Sequence, residues 1–74
     1  MTDTLDELDV VALTVDLPEH KLVRGQVGTV VEVHNLDTYE VEFSDDRGRT
    51  YAMLALTKDR IMKLHHEPVD AAQV

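Results

Sequence analysis

The sequence predicts an all-β fold: a small five-stranded barrel, mostly antiparallel, with a one-turn 3-10 helix before the last strand. Three observations predict it. Short apolar or alternating runs recur as DVVAL, VGTVVEV, TYEVEF, TYAMLAL and IMKL, with turn chemistry between them. Two glycines, Gly25 and Gly28, stand at the head of the longest valine run, where a strand that serves two neighbours must bend. The chain has 74 residues, room for a single core, and closing so small a sheet on itself removes the edges that invite aggregation.

Residues 1–8 read as an acidic, flexible N-terminus, or as one helical turn with Leu5 and Leu8 three apart and Thr2 or Thr4 as its cap. The barrel domain is expected over 9–64. Asp9 to Leu13 is short, apolar and β-branched, which suits a buried strand. From Thr14 to Arg24 the pattern breaks into a long loop. Pro18 removes a backbone donor there, amid Asp16, Glu19, His20 and Lys21. Val27 to Val33 is the best strand. By alternation, Val27, Thr29, Val31 and Val33 share one face, and Gly28, Val30 and Glu32 share the other. His34 to Asp37 make a turn. In Thr38 to Phe43, Tyr39, Val41 and Phe43 point inward, and Glu40 and Glu42 point outward. Asp45, Asp46, Arg47 and Gly48 make a hairpin turn, with Gly48 free to take a positive φ. Thr50 to Leu56 is the return strand. Thr57 to Arg60 make the tight helical turn, and Ile61 to Leu64 the last strand. Residues 65–74, with Pro68, read as a flexible tail. The expected core is Val11, Leu13, Val31, Val41, Phe43, Leu54 and Ile61.

The two glycines have separate expected roles. Gly25 ends the long loop where φ turns positive. Gly28 lies within a strand, where a side chain would block close backbone approach or a bulge. A phosphate-binding loop needs a helix after its glycines; here a strand follows, which argues against a nucleotide site. The structural residues are therefore Gly25, Gly28, Gly48 and Pro18.

Five strands in this order, with a one-turn helix before the fifth, are similar to a Src-homology-3-type barrel. The spacing of Gly25, Gly28, Val30 and Val33 resembles the motif of small barrels of the KOW and nitrile-hydratase-β type. The resemblance extends further along Asp16-Leu17-Pro18-Glu19, Arg24-Gly25-Gln26-Val27-Gly28-Thr29-Val30-Val31 and Glu42-Phe43-Ser44-Asp45. Over about Leu8 to Leu64 the chain resembles a family of very short, free-standing bacterial proteins catalogued as domain of unknown function 4926. That resemblance implies a small SH3-like or KOW-like barrel. It also implies an antitoxin-like or immunity-like role beside a partner encoded by a neighbouring gene.

Charge narrows the function classes. Fifteen Asp and Glu against seven Lys and Arg give a formal net charge of −8. Such a field repels nucleic acid at long range, so no nucleic-acid partner is expected. The same charge keeps a small domain soluble. No cysteine is present, which excludes disulfides and thiolate metal sites. The acidic first residues carry neither a basic start nor an apolar run, and no apolar stretch approaches a membrane span. The expected location is cytoplasmic, without a membrane partner, as a monomer or weak homo-oligomer.

Catalytic and metal constellations are weak. His65 and His66 are adjacent, so on a strand they would face opposite ways, and solvated tail histidines explain them. His20 and His34 stand alone in sequence. Asp45 and Asp46 fall in a turn that favours Asp for local backbone bonding. Ser44 is the only serine and has no histidine beside it. Of the three aromatics, Tyr39, Phe43 and Tyr51, at least two face the core, too few exposed rings for a proline-peptide or nucleic-acid platform. No enzyme activity, cofactor or metal is expected.

What remains is an acidic surface. Glu40 and Glu42 project from the outer face of their strand, and a hairpin brings Glu32 alongside them, with Asp45 and Asp46 at the end. Like charges directly opposite one another are destabilising. Two readings follow: the stripe is kept to bind an unknown basic protein, or it is relieved by Arg47 and Arg49 nearby. The expected function is a small acidic protein-interaction module. The alternative is a KOW-like accessory that binds RNA or the ribosome, which the acidity opposes.

Overall fold

The computed structural model describes residues 4–65. The expected tail beyond His65, with His66 and Pro68, lies outside the described residues, as do residues 1–3. The fold is all-β, as expected. Five strands run β1 (Val10–Leu13), β2 (Val27–Val33), β3 (Thr38–Ser44), β4 (Thr50–Thr57) and β5 (Ile61–Lys63). They form one antiparallel sheet in the order β4-β3-β2-β1-β5. This order is compatible with the SH3-type expectation. The barrel is not closed, however: among the described residues no ladder joins β4 to β5. The expected 3-10 turn is present at Lys58–Arg60, immediately before β5.

The core lies on one face of this sheet. Val11, Leu13, Val30, Tyr39, Val41, Phe43, Leu56 and Ile61 are all buried there. Fully burying side chains of this size contributes about 1.5–3 kcal/mol each relative to leaving them exposed. Strand β3 alternates as its sequence does, with Tyr39, Val41 and Phe43 inside. The Tyr39 ring is buried, and its hydroxyl donates to the Leu36 carbonyl at 2.9 Å.

Of the expected core positions, Val31 is wrong and Leu54 lies at the margin of the core. Val31 is only half-buried, and the inward valine of β2 is Val30. The cause is a break in register. Thr29 pairs with Glu42 and Val30 with Val41, but the next pair is Glu32 with Glu40, so Val31 has no partner of its own. It is the extra residue of a β-bulge. Leu54 is also half-buried. It packs against the core from an edge strand, and Leu56 takes the deeper place.

Three further leucines belong to the core. Leu17 and Leu22 lie in the long first loop and are 3% and 1% exposed. Their backbones pair with each other, Leu17 N–H to Leu22 O at 2.9 Å and Leu22 N–H to Leu17 O at 3.1 Å. Between them Pro18–His20 form a 3-10 turn, with Pro18 at its first position, where a missing N–H costs nothing. The loop is thus a pinched excursion that inserts two leucines. Leu5, in the N-terminal lead-in, is also buried. Just after it, Leu8 N–H donates to Val30 O and Val30 N–H to Asp9 O, which ties this segment to β2.

Gly25 and Gly28 serve the backbone in different ways. Gly25 has φ +95° and leaves the loop by donating its N–H to Leu13 O at 2.8 Å. Gly28 faces the core. A Cβ built there would lie 2.7 Å from Val41 Cγ1, 2.9 Å from the Glu42 carbonyl oxygen and 3.0 Å from Phe43 Cδ1. The absent side chain is what lets β3 press against β2 at this point.

Candidate functional site

The outer face of the β2–β3 pair carries the candidate site. Simple alternation from Gly28 and Val30 would turn Glu32 inward, onto the core. The bulge at Val31 resets the phase, and Glu32 lands directly opposite Glu40. Glu42 lies two residues from Glu40 on the same face, between Thr29 of β2 and Met53 of β4. Three carboxylates therefore share one surface, as expected.

The close pair is relieved by His34, a residue the sequence reading left unused. His34 follows β2 directly, where its N–H donates to Thr38 O at 3.0 Å as the hairpin turns. Its ring sits between the two acids. Nε2 lies 2.8 Å from Glu40 Oε1, and Nδ1 lies 3.7 Å from Glu32 Oε2. The hydrogen bond to Glu40 raises the His34 pKa above its ordinary 6.5, and the charges of Glu32 and Glu40 add to this; partial desolvation opposes it. Below that raised pKa the trio carries one net negative charge, and above it two. The available signal was the spacing: a histidine two residues after one glutamate and six before another, across a turn.

Glu42 has a different partner. Thr50 donates its hydroxyl to Glu42 Oε2 at 2.8 Å across the β3–β4 pair. Asp45 does not join the stripe as a free carboxylate. Its Oδ1 accepts the N–H groups of Arg47 and Arg49, each at 2.9 Å, and its Oδ2 faces Arg49 Nε at 3.3 Å. The backbone bond from Arg49 is the main reason that its pKa is held below the ordinary value, with Arg47 adding to it. Asp45 thus organises the β3–β4 turn, where Gly48 N–H also donates to its carbonyl at 2.9 Å. Asp46 is exposed at the same turn.

The far end of the hairpin is anchored separately. Asn35 Oδ1 accepts the Asp37 N–H at 2.8 Å, a local side-chain turn. Asp37 in turn accepts the Lys58 N–H on its carbonyl, and its carboxylate lies 3.6 Å from Lys58 Nζ. The 3-10 turn before β5 is thereby tied to the tip of the stripe. Among the described residues, no group of three or more His, Asp or Glu is arranged to hold a metal ion.

Fold and site together define a small single-sheet β module whose outer face carries an acidic stripe. The chain belongs to the family described as Domain of unknown function (DUF4926), whose model matches residues 7–63. No curated protein and no solved structure matches the chain. Among the described residues no helix is long and apolar enough to cross a membrane.

Proposed function

We propose that this chain is a protein-interaction module that binds a basic partner through Glu32, Glu40 and Glu42. The observation that carries this reading is the pairing of Glu32 with Glu40. A like-charged pair directly across a ladder works against folding. The chain accommodates it with a bulge and a histidine, where a neutral residue would have sufficed. Such a surface steers a basic protein toward it and raises the association rate at low salt. An antitoxin-like or immunity-like role, with the product of a neighbouring gene as the basic partner in the cytoplasm, is the specific form of this reading. The activity proposed is binding, without turnover. The net charge of −8 speaks against the RNA-binding alternative, because phosphate contacts need cations.

The test is to isolate a binding partner from the source cell, neighbouring gene product first, and to measure its affinity for wild type and for the double variant Glu40→Lys/Glu42→Lys. Loss of affinity in a variant that still folds supports the stripe as the contact surface. Unchanged affinity contradicts it.

A further inference from the structure

The two edge strands of the sheet differ in a way that bears on how a partner would dock. Strand β5 has three residues and carries Lys63, so it is short and charged. Strand β4 has eight residues, TYAMLALT, with no charge and no proline. One side of β4 pairs with β3 from Thr38–Thr57 through Phe43–Ala52 without interruption; the only irregularity falls next to Ser44–Thr50. Its other side has no ladder among the described residues. Natural sheets guard such edges with charges, prolines or shortness, because a long uncharged edge is a template for another strand. This one is unguarded along most of its length.

We propose that the edge of β4 is a strand-addition site, and that its occupant is a partner segment with Lys or Arg at alternate positions. This rests on the proposed basic partner and says how that partner docks. The register supplies the argument. The row Glu32–Glu40 continues to Ala55 on β4, and the row Thr29–Glu42 continues to Met53. Both β4 residues are exposed. A strand added beyond β4 would place alternate side chains next in these rows, two strand spacings, roughly 10 Å, from the glutamates on β3. Ala55 is too short to obstruct that path, and Met53 offers apolar surface. Lys and Arg lay their stems along such surface while keeping the charged head free to reach a carboxylate. The added strand gains ladder hydrogen bonds from β4 and ion pairs from β3 at once. A second copy of this chain would supply the ladder but no cation in these rows.

The experiment uses the full chain and a short peptide alternating Lys with Val, and reads affinity and amide exchange. Two further peptides carry backbone N-methyl groups, one on every Lys nitrogen and one on every Val nitrogen. In a strand these nitrogens point to opposite edges, so one methylated peptide should lose binding by about tenfold or more and the other should keep it. Alternate β4 amides should become protected in the complex, and a peptide with Glu in place of Lys should not bind. Equal binding by both methylated peptides, with loss of binding in Glu40→Lys/Glu42→Lys, would overturn strand addition and leave the acidic stripe standing. Equal binding of the Lys and Glu peptides would overturn the charge argument. No binding of the Lys peptide would likewise overturn strand addition, and the partner experiment would then decide the stripe alone. Protection of the edge-facing β4 amides in the free protein, together with a doubled mass in sedimentation, would assign the edge to a second copy instead.

Discussion

Strands β2 and β3 are both seven residues long and pair along one ladder, yet they are built differently. In β3 every second residue is buried, and the alternation runs unbroken from Tyr39 to Phe43. In β2 the alternation holds only as far as Val30, and the bulge at Val31 then shifts its phase. The regular strand supplies three core residues and, on its other face, Glu40 and Glu42. The irregular one adds Glu32, because the shift is what carries that residue from the core side to the outer face. With Val31 in the chain, leaving that one residue unpaired is what lets β2 bury Val30 and still present Glu32 on the outer face.

This contrast can be tested first where it is largest. Phe43 is fully buried near the C-terminal end of the regular strand. Phe43→Ala should destabilise the protein by about 3–5 kcal/mol, which chemical denaturation would measure. On a small domain such a loss removes most of the stability a single core provides. Next is Gly28, where a side chain on β2 would meet β3. Gly28→Val must displace Val41 and the Glu42 carbonyl, and backbone does not yield cheaply. A loss of about 1–3 kcal/mol is expected, and an unchanged denaturation midpoint would contradict the close approach.

The bulge itself gives a smaller and sharper prediction. The pairs on either side of it are Val30–Val41 and Glu32–Glu40. Deleting Val31 therefore leaves a regular ladder with the same pairs and the same faces. The deletion should cost no more than about 1 kcal/mol, near the typical point mutation, and amide chemical shifts should still place Glu32 opposite Glu40. A chain that unfolds on losing this residue would show that the bulge bends the sheet in a way the core requires.

Much of the fold was legible in the sequence, and the reasons are local. Tyr39, Val41 and Phe43 were readable as inward residues because nothing interrupts their alternation. Gly25 and Gly28 were readable because positive φ and close approach exclude other residues. Val31 was misplaced because both faces of VGTVVEV carry valine, so periodicity cannot locate a phase shift within it. Leu17 and Leu22 were hidden by their polar neighbours in a loop that only the folded chain pinches together. In the site, Glu40 and Glu42 followed from alternation, and Glu32 followed from the hairpin. From the sequence, Arg47 and Arg49 are one of two readings of the stripe, as the groups that relieve its charge. The structure engages Arg49 with Asp45 and places His34 between the glutamates. Only the register across the turn brings that histidine to both acids.

The histidine gives the smallest effect on stability. Its folded pKa is raised, so its contribution is fully present below the unfolded value near 6.5 and is lost as pH rises through the folded value. The melting temperature should therefore fall slightly as pH rises through that window, and the fall should disappear in His34→Gln. A nuclear magnetic resonance titration of the ring gives the folded pKa directly. A value at or below 6.5 would contradict the placement of His34 between Glu32 and Glu40.

The central claim is that the acidic stripe binds rather than merely solubilises. Its most direct test is the association rate of the isolated partner with wild type and with Glu40→Lys/Glu42→Lys, by stopped flow at two ionic strengths. Glu40 and Glu42 are half-buried, and the variant gives up their hydrogen bonds to His34 and Thr50. The Lys introduced at position 40 gains an opposite charge across the ladder in Glu32, and circular dichroism checks that the variant folds. At low salt, wild type should associate faster than the variant, and the two rates should converge as added salt shortens the screening length to about 3 Å at 1 M. Equal rates at low salt would show that the stripe serves solubility alone.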